Sequence, residues 1–515
     1  MNSFLFYLKK NVLISLLIII ASLIFFTNLS GQDYSLDEPE TVTLAKSIFV
    51  HGFPSPWDGL NLVSTNNGRD IIFLNGNYFW QWQPWLQHYL IFLGINIFGD
   101  NLFGQRFFFA LLGVGTVVLT YFTGKELFKN KYVTFLICLQ LIFLLPFFLY
   151  TRSARYYSPS IFFSLFVFYL FILGLKNKWK EKQTWSFLFI NILLFFSNYI
   201  VWLTTSLFAF FLAYAKKNKK ILYVLFAQFI LAIIWFLIFK PYSGNTLVFN
   251  QFKNIPINMI KNFSYINTFV FPLILLPMAF LIRKNKILLL LFCLVFLKVF
   301  VYSIFLIPHG RYLSDLFPLF VLISGYIYDY LLIRKKTLIA LLLFLIITFT
   351  NLLNLPPNVV LAKQKMIFHF WPQEYYVELT GKYQTVMPQL GNYLKSRYKK
   401  GDLFLSNNYN WYVYYYSKVP AVSPVCDAKK NQFIGPETIT KKSNVRWVII
   451  FPLNNNYQFP CMSFKNLQDL ESKYKMVELK FNKDTRVVND VDIFNRQFPP
   501  IKIREGEVYL FEKKE

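Results

Sequence analysis

Acidic residues are scarce in this chain of 515: 26 Asp and Glu stand against 53 Lys and Arg, and all charged residues together make up only 15%. So little charge excludes an ordinary soluble globular protein. With 55% hydrophobic and 20% aromatic residues, there is more apolar surface than a water-soluble core can bury. Histidine and cysteine are rarer still, four of each. His51, His88, His309 and His369 form no metal-ligating pattern. There is no G-x-G-x-x-G and no Walker loop, so no nucleotide site is expected, and the expected cofactor is none. Cys138 and Cys293 lie in apolar runs. Cys426 and Cys461 lie in the polar C-terminal part, where they either pair in an oxidising compartment or stay free thiols. The first apolar run, Asn11 to about Thr27, is too long for a cleaved signal peptide and lacks a clear small-residue cleavage site.

What the chain has in abundance is uncharged apolar sequence. Eleven runs, nine of about 18–22 residues and two of about 15–17, match or approach the length that crosses a ~30 Å hydrocarbon layer. They fall near 11–29, 106–124, 132–150, 157–175, 183–197, 199–215, 221–239, 263–282, 287–306, 312–333 and 337–354. The fold class expected is a polytopic α-helical membrane protein. Residues 1–354 form the membrane module, 30–105 its first external loop, and 355–515 an external C-terminal α/β domain.

Charge placement sets the expected orientation. Basic clusters occur at Lys9-Lys10, at Lys125, Lys129 and Lys131, and at Lys176, Lys178, Lys180 and Lys182. They recur at Lys216, Lys217, Lys219 and Lys220, at Arg283, Lys284 and Lys286, and at Arg334, Lys335 and Lys336. Splitting the uncharged stretch 183–215 into two helices near Ser197-Asn198 puts all six clusters on one side, which is then cytoplasmic. The N-terminus is expected inside, and the first loop and the C-terminal part outside. The net charge of +27 is then mostly topological, and no nucleic-acid partner is expected.

In the first loop, Asp37 suits the cap of a helix that opens with Glu38 and Pro39. Val42, Ala45, Ile48 and Phe49 recur at helical spacing, so this helix is expected in the membrane interface. Trp80, Trp82 and Trp85 suit an aromatic belt, and Leu86–Phe98, with His88, an interfacial or re-entrant helix. In the tail, "PQLGNYLKSRYKKGD" and "FKNLQDLESKY" read as helices. "LFLS", "NVRWVIIFPL", "KMVELKF" and "EVYLFEK" read as strands.

Three polar groups fall outside at membrane depth: Asp37-Glu38, "YTRSARYYSP" at 150–159 and "PHGRYLSDLFP" at 308–318. Arg152, Arg155 and Arg311 oppose the positive-inside trend, and their guanidinium forks suit phosphate. Tyr156 and Tyr312 add hydroxyls beside them. Plainer readings exist: Asp37 as a cap, Arg152 and Arg155 as headgroup anchors, Arg311 with Asp315 as an i,i+4 ion pair. Lys298, in mid-span, is functional, snorkels outward or marks a misplaced span boundary.

The ordered segments "LDEPE", "QPWLQHYLIFLGINIFGDNLFGQRFFFALLGVGTVVLTYFTGKELF", "TRSARYYSP" and "HGRYLSDLFPLF" resemble the GT-C membrane glycosyltransferases of the protein O-mannosyltransferase and lipid A aminoarabinose transferase type. The resemblance covers roughly residues 10–335. It implies an inverting enzyme that moves a sugar from a polyprenyl-phosphate carrier to an external acceptor at a bacterial or archaeal plasma membrane. It implies Asp37 as base, with Glu38 as helper or acceptor ligand. It implies Arg152, Arg155 and Arg311, with Tyr156 and Tyr312, around the carrier phosphate. Trp82 and His88 are then possible loop contacts, although Gln83-Pro84-Trp85 replaces the basic residue and two prolines of many relatives. Two other classes stay open: a transporter or flippase of lipid-linked sugars, and an envelope assembly or binding protein.

Overall fold

The computed structural model describes residues 12–35, 37–64, 67–177, 179–241, 252–281, 286–305, 308–354, 368, 370–382, 385–407, 409–427, 429–451, 458–459, 461–463, 467–479 and 508–514. The expectations resting on Lys9, Lys10, Lys178, Arg283, Lys284 and His369 lie outside these residues.

Helix α1 (Val12–Phe26) leads into the first loop. The loop holds α2 (Glu38–His51), a hairpin of β1 (Ile71–Leu74) and β2 (Asn77–Trp80), and α3 (Leu86–Phe98). The bundle continues with α4 (Leu102–Leu127), α5 (Lys131–Ile142), α6 (Leu145–Thr151), α7 (Tyr157–Asn177), α8 (Glu181–Ser197), α9 (Tyr199–Ala215) and α10 (Lys219–Phe239). After it come α11 (Ile255–Phe269), α12 (Leu276–Leu281), α13 (Lys286–Phe305), a 3-10 segment at Gly310–Leu316, α14 (Phe317–Ile333) and α15 (Thr337–Phe349).

Among the described residues, five helices are individually long and apolar enough to cross a membrane, or seven when each of two bent pairs is taken as one span. The bends have local causes. Pro146, second in α6, lacks an N–H and would clash with the carbonyl of Ile142, and the chain bends 63° there. Pro272 follows α11 at the 92° bend. All eleven expected runs fall on helices or bent pairs. Four of these helices, α1, α8, α9 and α15, have only 15, 17, 17 and 13 residues, short of a lone span. The stretch 183–215 breaks where expected. Asn198 leaves helical geometry, and its side chain caps α9 by accepting from the backbone N–H groups of Ile200 and Val201. Asn191 then donates to Ser206 at 3.0 Å, so α8 and α9 run antiparallel.

Helix α3 packs tightly on the start of α4, because a Cβ on Gly94 would meet the Gly104 carbonyl at 2.0 Å. Trp80 does not stand in an aromatic belt: it is fully buried, and the Trp85 indole donates to its carbonyl at 2.8 Å. A pleated surface covered on both faces favours Val, Ile and Trp over alternation, which is why the strand VRWVII reads as it does.

The C-terminal part holds α16 (Trp371–Thr380), α17 (Val386–Arg397), β3 (Leu403–Ser406), α18 (Asn410–Ser417), β4 (Val445–Ile450), α19 (Leu467–Lys473), β5 (Tyr474–Val477) and β6 (Tyr509–Lys513). Its sheet has the order β3-β4-β6-β5, parallel at β3–β4 and antiparallel elsewhere. All six elements expected in the tail are present, and α16, α18 and two short two-stranded pairs, Cys426–Asp427 with Gln432–Phe433 and Gln458–Phe459 with Met462–Ser463, are additional. Cys426 and Cys461 form a disulfide. This part is keyed into the first loop. Tyr412 donates to the Tyr34 carbonyl at 2.7 Å, Tyr34 bonds the Tyr415 hydroxyl at 2.6 Å, and Tyr416 and Thr385 both bond the Asp33 carboxylate. Tyr34, Val42 and Ala45 share one buried core with Tyr412, Phe404 and Trp447.

Candidate active site

Asp37 occupies the cap position of α2, yet its side chain makes no capping bond. Its carboxylate turns to two guanidiniums from distant parts of the chain. Arg311 Nη1 lies 2.8 Å from Oδ2 and Arg155 Nη2 lies 3.3 Å from the same oxygen. No described side chain bonds Oδ1. Arg155 is fixed further by donating from Nη1 to the Asp37 carbonyl (3.1 Å), Thr41 Oγ1 (2.6 Å) and Glu40 Oε2 (3.3 Å). The Asp37 and Arg311 side chains stay 23% and 26% exposed, so the pair is sheltered but reachable. Arg311 lies over the Tyr312 ring at 5.3 Å and Arg155 over Tyr156 at 5.7 Å. The Nε–H groups of Arg155 and Arg311 are buried and take no acceptor among the described residues.

Burial pushes the Asp37 carboxyl up, but Arg155 and Arg311, with His309, outweigh it and hold Asp37 below the usual carboxylate range. Asp37 is therefore ionised at neutral pH. A partly exposed carboxylate beside two cations suits a base next to a departing anion.

Glu38 sits differently. It is wholly buried and accepts from Arg106 Nε (3.0 Å), Arg106 Nη2 (2.6 Å), the Ser35 N–H (2.6 Å) and the Ala154 N–H (2.6 Å). Burial raises its pKa, and Arg106 with the two backbone donors more than reverses that. With its lone pairs taken, Glu38 ties the loop before α2 to the turn that carries Arg155. Arg106, at the start of α4, completes the knot by donating to the carbonyls of Leu29, Gln32 and Asp33.

Arg152 is not brought to Asp37. Its guanidinium donates to the carbonyls of Ile24 (3.0 Å), Thr27 (2.6 Å) and Asn28 (2.9 Å), closing the C-terminal end of α1. Trp82 stacks on Trp80 beside Leu44 and Val63. His88 is buried, with Nδ1 3.2 Å from the Thr41 carbonyl, and so backs α2. The pairing of Arg311 with Asp315 does not form, because Asp315 is bound to Lys298. Lys298 is fully buried and does not snorkel.

Three residues escaped the sequence reading. Arg106 carried one signal, a lone guanidinium at the head of an apolar run. Thr41 carried none. Glu40 lies within "LDEPE" but was overshadowed by the adjacent acidic pair. It is buried beside Arg155, and its Oε1 has no partner among the described residues. Burial, with Asp37 and Asp70 nearby, overrides Arg155 and pushes its pKa up to about 7.

Comparison with solved structures identifies the fold. The chain is similar to ArnT from Cupriavidus metallidurans in the apo state over 86% of its own length and 94% of that chain, with a TM-score of 0.57 and 10% identity. ArnT bound to undecaprenyl phosphate matches with a TM-score of 0.55 and 10% identity, over 85% of this chain and 93% of that one. The chain has the GT-C fold. An uncharacterized protein of Aquifex aeolicus (strain VF5) is 38% identical over 85 residues, a stretch that spans 16% of this chain and 16% of that relative. No protein-family model matches the chain.

In this GT-C chain the site lies at one end of the bundle. Arg106 heads α4, Tyr157 heads α7 and the 3-10 segment precedes α14. Lys125, Lys176 and Arg334 stand at the far ends of the same three helices. The site end and the basic end are therefore opposite.

Proposed function

We propose that this chain is an inverting glycosyltransferase that takes a sugar from a polyprenyl-phosphate carrier and places it on an acceptor hydroxyl or amine reaching the outer face of the membrane. The observation that carries this reading is the convergence of Asp37, Arg155 and Arg311, from three distant segments, on one sheltered but reachable point of a GT-C fold. A neighbour of the same fold is bound to undecaprenyl phosphate, which supports a lipid-phosphate donor here.

The chemistry balances. Asp37 Oδ1 takes the proton of the acceptor as its oxygen or nitrogen attacks the anomeric carbon. The bond between that carbon and the phosphate oxygen breaks on the opposite face, and its electron pair leaves with the phosphate. Negative charge grows on the leaving oxygen, where Arg311 and Arg155, lying over the Tyr312 and Tyr156 rings, supply positive charge. One displacement gives inversion. No carboxylic acid is needed to protonate the leaving group, unlike the two-carboxylate hydrolases.

Orientation follows from charge. Basic residues favour the cytoplasmic side, so the opposite, site-bearing end faces out. A disulfide in the C-terminal part suits the same oxidising side. The reading is tested with purified protein and polyprenyl-phosphate sugars, following release of polyprenyl phosphate. Transfer is expected from at least one such donor, and Arg311→Ala is expected to weaken binding of polyprenyl phosphate. Failure of release with every donor, together with unchanged affinity in Arg311→Ala, refutes it.

A further inference from the structure

The 3-10 segment Gly310–Leu316 carries two opposite charges four residues apart that face different partners. Arg311 reaches Asp37. Asp315 is fully buried, bonded through Oδ2 to Lys298 Nζ and through Oδ1 to the Tyr302 hydroxyl at 2.8 Å. Lys298 Nζ also donates to Ser164 Oγ and Thr205 Oγ1, each at 3.0 Å. The ammonium has three acceptors for its three protons, and the cluster ties α7, α9 and α13 to the segment that bears Arg311.

Winding explains why the two charges part. In an α-helix, residues i and i+4 share a face, and Arg and Asp at that spacing attract each other. In a 3-10 helix, with about three residues per turn, the same four steps leave the side chains about 120° apart. Runs of 3-10 helix beyond three or four residues are uncommon and need support, and this one has seven residues. The support lies at its last turn, where Asp315 is pinned. An ion pair buried this deeply is a poor source of stability, since desolvation offsets most of its attraction, so its retention points to a role in fixing geometry.

We infer that Lys298 is a positioning residue: by holding Asp315 it keeps residues 310–316 in 3-10 winding and leaves Arg311 to Asp37 and the carrier phosphate. This rests on reading Arg311 as a phosphate ligand. Without the lysine, Asp315 is an uncompensated carboxylate four residues from Arg311. One turn of α-helix joins the two and draws Arg311 off the site.

The test compares Lys298→Met, Lys298→Met with Asp315→Leu, and Arg311→Ala in the full chain, measuring the Kd for polyprenyl phosphate and the kcat and KM for transfer. Lys298→Met is expected to weaken polyprenyl-phosphate binding about tenfold, the order of one charge-assisted hydrogen bond. Adding Asp315→Leu removes the competing carboxylate and is expected to restore affinity to within about threefold of the parent. A general packing defect gives no such rescue. Equal weakness in the single and double variants overturns the inference, as does parental affinity in Lys298→Met while Arg311→Ala binds weakly. Unchanged affinity in Arg311→Ala removes the phosphate reading and the inference together. Where Lys298→Met does not fold, Lys298→Gln serves the same comparison, since it removes the charge and keeps hydrogen-bonding capacity toward Ser164 and Thr205.

Discussion

Replacing Glu38 by glutamine separates a structural carboxylate from a chemical one. The parent side chain is fully buried and accepts four hydrogen bonds, two from Arg106 and two from backbone N–H groups. Glutamine offers one accepting oxygen, and its amide N–H groups point at existing donors in either orientation. The Arg106 charge loses its counter-ion in a place water does not reach. Breaking such a buried pair costs about 3–5 kcal/mol. Arg106 keeps the carbonyls of Leu29, Gln32 and Asp33, which solvate part of the charge. The low end is therefore expected, about 3 kcal/mol, or a hundredfold or so in the folding equilibrium. Thermal and denaturant unfolding of purified Glu38→Gln, followed by tryptophan fluorescence, measures it. Stability within about 0.5 kcal/mol of the parent, combined with abolished transfer, would refute the reasoning and return Glu38 to the chemistry.

Asp37→Asn makes the opposite case. Its side chain is partly exposed but is also a counter-ion of the buried Arg155, so a moderate loss of stability is expected with retained polyprenyl-phosphate binding, and transfer down by about 10²–10⁴. Product assays at matched protein levels check this. Glu40 predicts a pH dependence of stability. Its folded pKa of about 7 lies above its ordinary 4.5, so its contribution is fully present below about pH 4.5 and is lost as pH rises through 7. Asp37 and Glu38, both shifted down, act only in more acidic solution. Melting curves between pH 4.5 and 8 should therefore fall with rising pH in the parent and flatten in Glu40→Gln; parallel slopes would contradict the assignment. The disulfide closes a sequence separation of 35 residues, worth about 4 kcal/mol by chain entropy. Serine at Cys426 and Cys461 should make the C-terminal part the first site of proteolytic cleavage, which limited digestion reads directly.

Much of the fold was legible because a bilayer imposes a simple code. Helix length, uncharged runs and basic clusters located the helices, and the break at Asn198 followed from charge balance alone. The strands of the tail were visible in runs such as VRWVII. The three charges that meet, Asp37, Arg155 and Arg311, were nameable because charges at membrane depth need a reason. What their sequence neighbours do was not nameable. Glu38 and Asp37 are adjacent and identical in charge, yet one is saturated by Arg106 and the other meets two cations from elsewhere. Arg152 and Arg155 stand three residues apart, and one closes α1 while the other meets Asp37. Such assignments depend on which carbonyls and carboxylates tertiary packing delivers, and no local pattern encodes that. The i,i+4 rule misplaced Arg311 because it presumes α winding where the chain is 3-10.

The tyrosines of α18 grip Asp33 and Tyr34, only a few residues before Asp37. A hybrid that exchanged the C-terminal part of this protein for a relative's would break that grip unless residues 28–35 travelled with it. The natural cut for domain swapping therefore does not fall at the visible end of the membrane helices. Two stretches more than 350 positions apart form one physical part.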